Sequence, residues 1–169
     1  MQLQEFFDYK NQLMNDLLTN QEILRLLADD CKTTTNVEDL VYTQVFPYEY
    51  VPETIEHGQT FICCDVDVQK SLNKTFLSPV LYIWVFSHKS KLTIPKEEGG
   101  GVRIDKLCSE IAKQINGSRY YGLGELDLYS VKRFTPVYDY LGKALVFQAV
   151  DWNRLSPTGK IIPSNRKHG

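Results

Sequence analysis

A chain of 169 residues is one domain's worth, long enough to bury roughly 70% of its unfolded surface without metal or disulfide staples. Hydrophobic residues at 43% and charged residues at 24% make an ordinary globular balance, which argues against a disordered chain. The formal net charge of −2 removes any bulk-charge reason to expect a nucleic-acid binder.

In chain order, Leu3, Phe6, Phe7, Leu13, Met14, Leu17 and Leu18 recur at helical spacing and predict a first helix. Thr19-Asn20-Gln21-Glu22 reads as a capping box with Thr19 as the N-cap, opening a second short helix through Ile23, Leu24, Leu26 and Leu27. Residues 29–35 are polar and turn-like. Pro47 and Pro52 forbid a central strand between Leu40 and Pro52, so that stretch reads as an extended segment pinned by its aromatics.

Residues 60–68 alternate strictly. Ile62, Cys64, Val66 and Val68 share one face, and Phe61, Cys63, Asp65 and Asp67 share the other. Residues 79–86, PVLYIWVF, are apolar on both faces and predict a central strand pairing antiparallel with the first. Residues 87–101 end in three glycines and read as a flexible loop, a candidate arm that orders on assembly.

The clearest helix is residues 102–116, with Ile104, Leu107, Cys108, Ile111, Ala112 and Ile115 in one stripe and Gly117 as the stop. A strand over 124–134 follows, with Leu126 and Leu128 on one side and Tyr129 and Val131 on the other. Pro136 sits in a turn, and the last strand runs from Lys143 to Trp152. The expected fold is α+β: a mainly antiparallel sheet of two β-hairpins with one crossover helix packed on it, preceded by two short N-terminal helices. Residues 1–153 form a single domain, and 154–169 form a polar C-terminal tail.

Few residues point to chemistry. Asp65 and Asp67 share a strand face and could hold a divalent cation, as a metal-dependent, nuclease-like enzyme would require, but a solvated sheet face explains them more simply. No histidine spacing suits a metal. A nucleophile pair of Cys63 or Cys64 with His88 lacks local support, and the four cysteines read as reduced core residues. The residues after Gly99-Gly100-Gly101 lack a phosphate-loop lysine and serine, so the glycines read as a turn. The start, MQLQEFFDYKNQ, has no leader pattern, and no apolar run nears the roughly 20 residues that span a bilayer.

Three passages carry a family likeness: the helix RIDKLCSEIAKQINGS, the strand passage GLGELDLYSVKRF, and the closing passage YLGKALVFQAVDWN. FICCDVDV with LYIWVFSH fits the same sheet. Over residues 37–153 this pattern resembles the small neck proteins of tailed bacteriophages, and among them the tail terminator (tail-completion) family. A head-closure or connector subunit of the same neck is the alternative.

The resemblance implies a structural virion protein rather than an enzyme, with no catalytic residue and no cofactor. It implies a ring, commonly a hexamer, that terminates the tail tube and joins it to the head connector. Its partners would be its own copies, the tail tube protein and the head-closure or connector protein. DNA would only pass through the lumen, and no membrane would be involved. Exposure and charge select Lys96, Glu97, Glu98, Arg119, Lys132 and Arg133 as interface residues.

Overall fold

The computed structural model describes residues 3–28, 37–52, 58–70, 76–121, 124–149 and 151–152. The polar tail expected at 154–169, Cys31, His57 and the turn at 29–35 lie outside them. In chain order the elements are α1 (Leu3–Leu17), α2 (Gln21–Leu27), α3 (Val37–Leu40), β1 (Val45–Phe46), β2 (Thr60–Lys70) and β3 (Phe76–His88). They continue with α4 (Arg103–Ile115), β4 (Asp127–Phe134), β5 (Tyr140–Gln148) and β6 (Asp151–Trp152). This is a mixed α+β chain with an open, mostly antiparallel sheet, as its coarse pattern foretells.

The finer arrangement adds α3, β1 and β6, which the expectation lacks. The sheet order is β1-β2-β3-β5-β4, with β6 also paired to β3. Helix α4 leads from β3 to β4, but β5 lies between those two strands, antiparallel to both. β1 pairs parallel with β2 at Ile62 and Cys63 only, which suits a segment shortened by Pro47 and Pro52. The last strand is split. β5 and β6 keep one register against β3, with Val80 opposite Gln148 and Leu77 opposite Asp151. The break lies beside Pro79, which has no N–H to donate, although its carbonyl still accepts from Ala149 N at 3.2 Å.

One face of the sheet carries the main core. Leu13 and Leu17 of α1, Ile23 and Leu27 of α2, and Leu107, Ile111 and Ile115 of α4 bury against Ile62, Cys64, Leu81, Ile83, Val85, Leu145 and Phe147. Each such side chain contributes about 1.5–3 kcal/mol when fully buried. The opposite face carries a smaller aromatic layer of Phe46, Phe61, Cys63, Phe86 and Tyr140, flanked by Tyr50, Trp84, Phe134 and Val137. The Phe46 and Tyr50 rings stack at 4.1 Å, so the proline-bearing segment is pinned by its aromatics as its sequence suggests.

Three local expectations are corrected. The N-cap of α2 is Asn20, not Thr19: Asn20 Oδ1 accepts from the amides of Glu22 and Ile23 at 3.0 and 3.3 Å. The Thr19 hydroxyl instead donates to the Asp16 carbonyl at 2.7 Å, and Glu22 binds Arg25. Replacing Asn20 with alanine is expected to remove about 1 kcal/mol of stability. In urea unfolding this would appear as a lower midpoint at unchanged slope.

The glycine-rich stretch is a folded connector rather than a loose arm. Two short 3-10 turns, Lys89–Lys91 and Lys96–Glu98, are closed by the Thr93–Val102 bridge and by Ile94 N donating to Gly101 O at 2.9 Å. Ile94 reaches the core. Gly99, Gly100 and Gly101 have φ of 96°, 60° and 94°. The triplet supplies left-handed backbone that side chains resist, and flexibility is not its use here.

The third correction concerns β4, where the register shifts between Leu128 and Ser130. Leu128 opposes Phe147 and Val131 opposes Leu145, two residues of the helix-side core. Leu128 and Val131 therefore lie on the same side, with Tyr129 as the extra residue of a bulge.

Candidate interaction surface

The sheet is open, and its two margins are built from long strands. Among the described residues, no strand pairs with the outer edge of β4 or with β2 beyond Cys63. Unpaired edges present rows of backbone donors and acceptors, the natural template for pairing with another chain.

From the Tyr129 bulge onward the β4 margin is basic and partly apolar. Tyr129 is 68% exposed at the bulge and Val131 is 47% exposed, and Lys132 and Arg133 stand exposed beside them. Lys132 opposes Ala144 and so belongs to the aromatic face, whereas Val131 belongs to the helix face. The β2 margin is acidic and partly apolar. Asp65 and Asp67 lie on the aromatic face with Cys63, and Val68, 38% exposed, lies on the helix face with Cys64 and Val66. Lys10 of α1 reaches Asp65 at 2.9 Å and the Pro47 carbonyl at 3.0 Å, marking one end of this free edge.

Of the residues selected from sequence, the structure gathers Lys132 and Arg133 on one strand. Lys96, Glu97 and Glu98 form a separate exposed turn ahead of α4. Arg119 lies in the α4–β4 connection, paired with Glu125. Sequence reasoning missed the exposed tyrosines Tyr42, Tyr48, Tyr120, Tyr129 and Tyr138. An aromatic content of 12% is their only signal in the sequence, and a half-buried sheet uses aromatics equally well. Tyr138 is 85% exposed, with the Lys89 ammonium 3.9 Å from its ring centre.

The candidate chemical groups have other engagements. Asp65 is bound by Lys10, and among the described residues no three His, Cys, Asp or Glu side chains group as metal ligands do. Cys63, Cys64 and Cys108 are free and buried, and desolvation pushes each thiol up to about 12, so all three are protonated near neutrality. His88 Nδ1 lies 2.7 Å from the Ser90 hydroxyl and caps the first 3-10 turn. Cys63 is opposite Trp84, away from it along the strand. Two open depressions lie among polar residues, one lined by Asn20, Glu110 and Gln114 and the other by Gln12, Asp16 and Tyr120. Among the described residues no helix is long and apolar enough to cross a membrane.

No curated protein matches the chain. Residues 20–149, well over half of it, match the family model YomW. They take in α2 through β5, the whole of the sheet except β6. YomW is a phage-associated family name of the SPbeta-prophage type, which suggests a phage origin. The chain belongs to the YomW family.

Proposed function

We propose that this protein is a structural subunit of a tailed-phage neck, of the tail-terminator kind, whose copies close into a ring of six. The observation that carries the reading is the open sheet with two long outer edges at opposite margins that no strand among the described residues pairs beyond Cys63, both bearing exposed apolar side chains. A surface that binds head to tail builds a ring where the rotation closes. The phage-type family supports the setting. In that setting one face of the ring meets the last ring of the tail tube and the other meets the head connector, and DNA passes through the lumen. The turn Lys96–Glu98 and the exposed tyrosines are available to such neighbours, since tyrosine supplies large contact area with a polar tip.

Light scattering on the purified protein tests this. Six copies of 19.5 kDa are expected to give a particle of about 117 kDa. The particle should bind the tube protein of the same phage. A 19.5 kDa species at every concentration, with or without tube protein, removes the reading.

A further inference from the structure

We infer that neighbouring copies join through a continuous sheet: the outer edge of β4 of one copy pairs antiparallel with the outer edge of β2 of the next, placing Lys132 opposite Asp67 and Val131 opposite Val68. The inference rests on the ring reading above and names the contact that closes it.

Strand direction comes first. β2, β3, β5 and β4 alternate across the sheet, each antiparallel to its neighbour. With four alternating strands, β4 runs opposite to β2. A second copy set beside the first in the same orientation therefore meets β4 with an antiparallel β2, the stronger of the two pairings.

Length agrees as well. β1 covers β2 only at Ile62 and Cys63, so residues 64–70 have no strand partner on that side among the described residues, and of them Lys10 reaches only Asp65. On β4 the regular stretch after the Tyr129 bulge is residues 130–134. A bulge ends pairing, so this stretch would lie against residues 65–69.

Side chains then choose the register. In a continuous sheet each face of one copy meets the same face of the next. Lys132 and Asp67 are both on the aromatic face, and Val131 and Val68 are both on the helix face. In an antiparallel ladder, setting Lys132 against Asp67 also sets Val131 against Val68. One register thus satisfies an ion pair above the sheet and an apolar pair below it. A one-residue slip would move every side chain to the wrong face.

Charge also selects against the two-fold alternatives. Pairing β4 with β4 would crowd Lys132 and Arg133 against their own copies, and pairing β2 with β2 would crowd Asp65 and Asp67. Like charges opposite one another in a sheet are destabilising. Only the head-to-tail pairing joins a basic margin to an acidic one.

Charge reversal tests the contact. Asp67→Lys alone, and Lys132→Asp with Arg133→Asp, should each run as monomers by light scattering while keeping the wild-type circular dichroism spectrum. Mixing the two proteins in equal amounts should restore the ring mass, because each variant's margins then meet their complements. One chain carrying all three reversals should assemble by itself. A chain with Cys31→Ser, Asp67→Cys and Lys132→Cys should give a ladder of disulfide-linked multimers on oxidation, since Cys63, Cys64 and Cys108 are buried. Rings of unchanged mass in both reversal variants would overturn the edge pairing and leave the ring reading standing. A wild-type protein that never assembles would overturn both.

Discussion

Replacing Gly142 with alanine is expected to lower the unfolding free energy by about 3 kcal/mol, at the upper end of what overpacking does in a filled interior. Gly142 lies in β5 between Phe86 of β3 and Phe134 of β4. A Cβ at this position would stand 2.2 Å from the Val85 carbonyl oxygen and 2.5 Å from Phe86 Cβ. Two of the three nearest atoms are backbone of the central strand, so no side-chain rotation relieves the clash. The absent side chain has a use. The Phe86 and Phe134 rings meet edge to face at 5.7 Å from the strands on either side of the glycine, within the aromatic layer. Alanine would push β5 off β3 where the ladder is densest in aromatics. Chemical denaturation should show a midpoint lowered in proportion, and wild-type stability in this variant would contradict the packing described here.

Arg103→Ala is expected to have an effect of similar size, about 3 kcal/mol, through a different mechanism. Arg103 is 7% exposed at the start of α4. Its Nε donates to the Lys91 carbonyl at 2.8 Å and its Nη1 to the Leu26 carbonyl at 2.6 Å. Leu26 belongs to the last turn of α2, where carbonyls lack intrahelical partners and carry the negative end of the helix dipole. One guanidinium therefore ties α2, the glycine-bearing connector and α4 together. Truncation leaves both carbonyls unsatisfied beside the core. Arg103→Lys keeps the charge but cannot reach both carbonyls in the fork geometry, so about half the loss is expected. Equal stability of all three proteins in a urea titration would show that water replaces the guanidinium at no cost.

The two variants probe the same frame from its two sides. Gly142 belongs to the aromatic face, and Arg103 to the helices that cover the other. Arg103 stands clear of the β2 and β4 margins, so its stability defect is separable from an assembly defect in the edge variants, whereas Gly142 pairs with Phe134 of β4.

How far the chain could be read without coordinates differs between elements. The α4 stripe is legible because the helix buries one face against a sheet, and burial imposes the period of the backbone on the apolar residues. The pairing of β2 with β3 is legible because strict alternation on one strand meets an all-apolar run on the other. The Asn20 cap is less so: Thr19 and Asn20 are both good N-cap residues, and only the backbone path, extended at Asn20 with φ −79° and ψ 112°, decides which carboxamide or hydroxyl faces the free amides. The glycine triplet is ambiguous for a related reason. Glycine serves both slack chain and left-handed turns, and only the closing bonds around residues 93–102 separate the two.

The candidate interface follows the same division. Lys132 and Arg133 are marked by charge alone, but charge does not say that they occupy a margin. Asp65 and Asp67 share one strand face, a pattern that a solvated sheet face explains most simply and that a cation site also fits. That they stand on the opposite edge of the same sheet depends on strand order, which no local pattern encodes.

By itself, then, the amino-acid order determined α1, α2, α4, the long strands and which residues seek burial, since these follow from periodicities only a few residues long. Tertiary structure decided the rest: that β5 lies between β3 and β4, that Tyr129 bulges, that Pro79 interrupts the last strand, and that β2 and β4 are left at the margins. Those outcomes depend on contacts between residues far apart in sequence, and they are set by which arrangement fills the core and satisfies the backbone together.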